Sequence, residues 1–195
     1  GKQFMDEVAS EIHFEPTPRW GLGLDPDVLE TVRAACTETQ KLRVVYESAS
    51  KKENKDRVLG PHFLYFAKGS LYLVAEDDTD GKNKIFAVPR IKEAEMLDES
   101  YKGEALDPEE YFESAIGIFQ ASEPQHVVLS IEAPVSSYVR ERQWHKSQRI
   151  VFKSKDAIQL HLDVGITPEL VHWILGLGAG VGVERPDELA DLVRE

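Results

Sequence analysis

A single cysteine among 195 residues, Cys36, is too little for an internal disulfide or a thiolate metal cluster. Apolar stretches are equally scarce. The longest, Ile174 to Val183, runs ten residues, four of them glycine, far short of the roughly 20 that a membrane-crossing helix needs. Positive charge is thin at the N-terminus, where Asp6, Glu7 and Glu11 stand in place of a cationic and then apolar secretory leader. It is outnumbered in the whole chain too: 23 Lys and Arg against 35 Asp and Glu give a net charge of −12. Long-range repulsion of that size opposes the phosphate neutralisation on which duplex DNA binding rests. These absences point to a cytoplasmic protein with no membrane contact, and 42% apolar residues supply a core of ordinary size.

The charge is uneven. Residues 1–40 sum to −5, 41–98 to +1, 99–126 to −6, 127–155 to +4 and 156–195 to −6. Two near-neutral or basic blocks between acidic ones can form a binding face, although plain solvated surface gives the same pattern.

The chain opens on Gly1 rather than Met, which points to a missing upstream segment. Residues 1–24, with Pro16, Pro18, Gly21 and Gly23 and little periodicity, read as a linker. At Asp25-Pro26 an N-cap precedes a first-turn proline, and Val28, Leu29, Val32, Ala35 and Cys36 recur at helical spacing. Cys36 therefore reads as core packing and not as a nucleophile. From Lys41 the period drops to two, and five strands are expected over Leu42–Ser48, Arg57–Phe66, Ser70–Glu76, Lys84–Val88 and Ile91–Leu97. Five short strands in under sixty residues suggest a small β-barrel. Asp77-Asp78-Thr79-Asp80-Gly81 reads as a hairpin turn and not as a calcium loop, whose glycine and glutamate positions are not met.

A second helix is expected from Asp107, with Tyr111, Phe112, Ala115, Ile116 and Phe119 as its apolar face. Glu123-Pro124 then marks a domain boundary, dividing a barrel domain over 25–122 from a C-terminal domain over 123–195. The remainder alternates strand and helix in a βαββαβ order, the ferredoxin-like pattern, followed by a short helix from Pro186. The fold class is thus α+β.

Catalytic and cofactor motifs do not emerge. The glycines of Gly176 to Gly182 follow a helix and precede a strand, the reverse of a phosphate-cradling loop. The six histidines show no paired metal-ligand spacing, and no Gly-x-Ser-x-Gly elbow occurs. The expectation is a non-enzyme with neither metal nor cofactor. Two polar sets stand out instead. The barrel block holds Tyr46, Ser48, Arg57, His62, Tyr72, Lys84 and Arg90, with Lys84 on the same strand face as Phe86 and Val88. Buried cations need anionic partners, so these side chains either border an anion pocket or pair with nearby carboxylates. A second basic run, Arg140 to Arg149, carries Arg140, Arg142, His145, Lys146 and Arg149 around Trp144. It suits stacking and phosphate contact, and cations at a helix C-terminus are also favoured electrostatically.

Taken in order, these residues resemble the WYL-domain transcriptional regulators of bacteria. The resemblance rests on Tyr46, Arg57 with Pro61, Leu71-Tyr72-Leu73, and Lys84-Ile85-Phe86-Ala87-Val88-Pro89-Arg90-Ile91. In the C-terminal part it rests on His145-Lys146-Ser147-Gln148, Trp173-Ile174-Leu175-Gly176-Leu177-Gly178, Val183-Glu184-Arg185-Pro186 and Leu189, similar to the extension that commonly accompanies a WYL domain. Leu71 stands where the family has Trp, and Lys84 where it has Arg. The resemblance implies an Sm-like or SH3-like barrel that senses an effector, single-stranded nucleic acid or a nucleotide. Tyr46, Arg57, Tyr72, Lys84 and Arg90 become its ligand contacts, with Ser48 and His62 beside them. It further implies a homodimer and an upstream helix-turn-helix that meets operator DNA. The alternatives carried with it are a protein-interaction scaffold with an exposed apolar patch, and a hydrolase whose site is assembled only by the fold.

Overall fold

The computed structural model describes residues 23–48, 53–119 and 123–195. Its two compact units divide between Leu106 and Asp107. The expected linker over 1–24 lies outside the described residues apart from Gly23 and Leu24.

The first unit opens with α1 (Pro26–Glu38). Asp25 caps it as its sequence suggests, its side chain accepting from the amides of Asp27 at 2.9 Å and Val28 at 3.3 Å. Thr39, in the left-handed region at φ 51°, ends the helix and turns the chain into β1 (Gln40–Glu47). Strands β2 (Asn54–Ala67), β3 (Ser70–Asp77), β4 (Lys82–Ala87) and β5 (Ile91–Ser100) come next, all antiparallel, in the order β4-β3-β2-β1-β5. Gly81, at φ 64°, supplies the positive backbone angle of the β3–β4 turn. Alternation sends Leu42, Val44, Leu59, Leu73, Ala75 and Phe86 to one face, where Val28, Val32 and Ala35 of α1 cover them. The expected barrel is realised as an open sheet: among the described residues no ladder joins β4 to β5, which are linked by a 3-10 turn, Val88–Arg90. A register shift in β2 between Pro61 and Phe63 inserts one residue and reverses the facing of the strand from Phe63 onward.

The second unit begins with α2, which is a single turn (Pro108–Tyr111) and not the longer helix expected through Phe119. The cause is local hydrogen bonding. Gly117 lies at φ 121°, outside helical space, and the amides of Ile118 and Phe119 donate to Glu169 Oε2 at 2.7 and 2.8 Å instead of to preceding carbonyls. Of the apolar positions expected to share a helix face, Ala115 is buried and Phe119 is 53% exposed, so the segment does not present one buried face.

Beyond it come β6 (Gln125–Ile131), α3 (Val135–Arg140), β7 (Arg149–Phe152), β8 (Ile158–Val164), α4 (Pro168–Gly176), β9 (Val181–Arg185) and α5 (Asp187–Arg194). The sheet is antiparallel in the order β7-β8-β6-β9, the ferredoxin-like arrangement expected from βαββαβ. Val127, Leu129, Ile131, Leu160 and Leu162 form its inner face, covered by Val139, Leu170, Ile174 and Leu189 from the three helices. Thr167 caps α4 through its side chain. The glycines after α4 behave as a helix stop, Gly178 standing at φ 81° before β9 begins.

Candidate functional site

Asp77, the last residue of β3, organises the charged centre of the first unit. It continues the inward alternation of Leu73 and Ala75, so its carboxylate is fully buried. Arg57 on β2 and Lys84 on β4 face the same way and both reach it. Arg57 Nη1 donates to Asp77 Oδ2, Lys84 Nζ donates to the same oxygen at 2.9 Å, and the Thr79 amide donates to Oδ1 at 3.0 Å. Burial pushes the Asp77 carboxyl up, but the hydrogen bonds from Thr79 and Lys84 and the charge of Arg57 outweigh it and hold the group at about 2. Lys84 also reaches out to Asp80 on the turn at 2.8 Å.

An aromatic wall stands beside the two cations. Tyr46 and Phe86 meet edge to face with centroids 5.3 Å apart, and the Arg57 guanidinium lies 5.9 Å from the Phe86 centroid. The Tyr46 hydroxyl accepts from the Ala87 amide at 3.2 Å, which ties β1 to the end of β4. Three of the expected contacts, Tyr46, Arg57 and Lys84, thus converge, together with Asp77 and Phe86.

Two of the others lie on the opposite face. His62 sits in the β2 irregularity, and its Nε2 lies 2.8 Å from Asn83 Oδ1 and 3.3 Å from the Tyr101 hydroxyl. That hydroxyl also donates to Glu76 at 3.1 Å, which places His62 with the opposite sheet face. Tyr72 alternates with Leu73 and shares that outward parity, opposite Ala87 and Tyr65. Arg90 ends the 3-10 turn, and Ser48 lies just past β1, its amide donating to the Glu53 carbonyl at 3.0 Å. Asp77 and Phe86 were not among the expected site residues. The signal for Asp77 was its parity with Leu73 and Ala75, masked by its place in a turn-like acidic run.

Four members of the basic run in the second unit have partners of their own within that unit. Lys146 pairs with Glu113 at 2.7 Å, and Arg149 approaches His161 Nδ1 at 3.4 Å. Arg142 stacks 3.9 Å from the Tyr138 ring centroid and donates to the Tyr138 carbonyl. Arg140 is exposed at the end of α3. His145 Nδ1 lies 2.8 Å from Ser147 Oγ, the pairing that a nucleophile and base would adopt. Ser147 Oγ also accepts the Asp163 amide at 2.8 Å and His145 Nε2 lies 2.8 Å from the Glu113 carbonyl oxygen, so the pair fastens a loop to β8 and to the 107–119 segment.

Tyr138, Trp144 and Trp173, with Pro134, Val135 and Leu177, line an open groove of about 520 Å³. The ring centroids are 5.5 Å apart for Tyr138 and Trp144 and 5.1 Å for Trp144 and Trp173. Cys36 is partly buried against the α1 core, and burial pushes its thiol up to about 11.

A helix-covered antiparallel sheet joined in sequence to a ferredoxin-like unit defines a two-domain α+β protein. Residues 27–96 match the WYL domain and residues 123–195 match the WCX domain. The chain thus carries a WYL domain followed by a WCX domain. No curated protein matches the chain. Among solved structures it is similar to proteasome accessory factor B/C of Arthrobacter aurescens, with 19% identity over 86% of this chain and 26% of that one and a TM-score of 0.43. It is also similar to a CRISPR Cas-related protein, with 15% identity over 86% of this chain and 48% of that one and a TM-score of 0.53. The latter likeness speaks for the fold alone. The chain spans about a quarter and about half of these two proteins.

Proposed function

We propose that this chain is the effector-sensing part of a transcription regulator and that its first unit binds an anionic ligand, single-stranded nucleic acid or a nucleotide. The observation that carries the reading is the convergence of Arg57 and Lys84 on one buried carboxylate beside Tyr46 and Phe86. Two cations share the buried charge of Asp77, and the one further carboxylate on them among the described residues is the turn residue Asp80 on Lys84, so the pair stands next to aromatic surface on which a base can stack. Arg57 and Lys84 are held from separate strands, so the site is preorganised and loses little side-chain entropy on binding. Tyr72 and His62, on the opposite face, are reached only by a ligand long enough to pass the sheet edge, and Arg90, next to the Ile91 that pairs with Tyr46, and Ser48 are further contacts in this reading.

The role is non-catalytic and cytoplasmic. Among the described residues no helix is long and apolar enough to cross a membrane. Operator DNA would be met by a helix-turn-helix domain outside this chain, and the sensing part would act within a homodimer. A ligand shifts such a dimer only by binding one arrangement more tightly than the other.

The test is a fluorescence titration with labelled oligothymidylate and with nucleotides at two salt concentrations. Binding should weaken at the higher salt, and Arg57→Gln should lower affinity at least about tenfold, as expected for losing a charge-assisted contact. Absence of binding at low salt overturns the reading. One observation favours a second reading, protein recognition by the WCX domain: the aromatic groove of Tyr138, Trp144 and Trp173, part of whose lining is exposed.

A further inference from the structure

We infer that Lys84 is an exchangeable anion subsite: the Asp80 carboxylate holds it in the free protein, and a phosphate group of the ligand takes the place of Asp80. The inference rests on the anion-binding reading above. The two carboxylates on Lys84 differ in kind. Asp77 is fully buried, and Arg57 shares the oxygen that Lys84 uses, so it cannot leave without stranding two cations. Asp80 is 40% exposed, sits on the β3–β4 turn next to Gly81, and meets Lys84 at 2.8 Å as an i,i+4 pair. An exposed pair of that kind is screened by solvent and adds little. Releasing it costs little and uncovers a lysine that is itself 35% exposed.

The charge arithmetic points the same way. Arg57 and Lys84 against Asp77 and Asp80 make a neutral set, and withdrawal of Asp80 alone makes it positive. A phosphate group brings more charge and more acceptor oxygens than the carboxylate it displaces, so the exchange favours the ligand. Arg57 adds a second observation. Its buried Nε has no hydrogen-bond partner among the described residues, so one donor of the guanidinium is left unmet beside the shared carboxylate. Asp80 is therefore a built-in competitor that sets the affinity threshold of the site.

The experiment compares the whole chain with its Asp80→Asn and Asp78→Asn variants, using inorganic phosphate, thymidine 5′-monophosphate, a 5′-hydroxyl oligothymidylate and uncharged thymidine as probes. Asp78 lies in the same turn but pairs with Lys41, at 2.8 Å, so its variant removes the same charge without touching Lys84. Asp80→Asn should raise affinity for phosphate-bearing probes about 2- to 5-fold, the energy span of an exposed pair, and leave thymidine unchanged. Asp78→Asn should change affinity less. A gain with the monophosphate and inorganic phosphate assigns the subsite to a terminal phosphate, and a gain confined to the oligonucleotide assigns it to strand phosphates. Equal gains in the two variants, or no gain with Asp80→Asn while the parent binds and Arg57→Gln does not, overturns the exchange and leaves the sensor reading standing. No binding by parent or Asp80→Asn overturns both.

Discussion

Arg57 and Lys84, which reach in from β2 and β4, donate to the same carboxylate oxygen, Oδ2 of the buried Asp77. That shared oxygen makes the charged centre a structural element of the sheet as well as a candidate site.

Truncating its acceptor should be costly. Asp77→Ala leaves two cations in a partly buried setting without their counter-ion, and the cost of breaking a buried pair in this way is about 3–5 kcal/mol. Urea unfolding of parent and variant measures it, and a loss below about 1 kcal/mol, the ceiling for an exposed pair, would show the centre to be solvent-screened.

The same carboxylate should titrate late. Its native value of about 2 lies below that of an unfolded aspartate, so its ionised form stabilises the fold above about pH 4. That contribution is lost as pH falls from about 4 through 2. Carbon-detected NMR of the Asp77 carboxyl should show a midpoint near 2, and the acid limb of stability should flatten in Asp77→Asn.

Gly60 is required by a neighbour and not by its backbone angle. A Cβ there would overlap the ring of Tyr101, which packs across β2. Gly60→Ala should cost about 1–3 kcal/mol, the range for overpacking, and pairing it with Tyr101→Ala should recover part of that loss. Thermal unfolding of the double-mutant cycle reads the coupling directly.

Glu169 should govern the order of the 107–119 segment. Its carboxylate, 7% exposed, receives the amides of Ile118 and Phe119. Glu169→Ala should destabilise the second unit by about 1.5–3 kcal/mol, as expected for losing charged hydrogen bonds. Hydrogen exchange should accelerate first at Ile118 and Phe119, while the amides of β6 and β8 keep their protection.

Cys36 should be nearly inert to thiol reagents. With its thiol raised to about 11 by burial, little thiolate exists near neutral pH, and labelling should speed up only on unfolding. Rapid labelling by a disulfide reagent at neutral pH in the native protein would contradict the packing of α1.

Local signals carried far along this chain because they were short-range and mutually consistent. Asp25-Pro26 and Thr167-Pro168 placed helix starts through their own side chains, and alternation placed strands from Leu42 to Leu97 and from Ile158 to Val164. The long helix expected after Asp107 failed for the complementary reason. Its spacing was helical, but a carboxylate some fifty positions away competed for its amides. Likewise, composition marked Tyr46, Arg57 and Lys84 as a set with Tyr72 and His62, and strand parity together with the β2 irregularity separated them onto opposite faces.

Element order, the α+β class and the family likeness are properties of the amino-acid sequence by itself, since caps, turn residues and hydrophobic periods act over a few neighbours. The tertiary structure alone decided which charges meet. Asp77 became the hub of Arg57 and Lys84 because three strands paired in one register and turned those side chains inward, and burial made their mutual compensation obligatory.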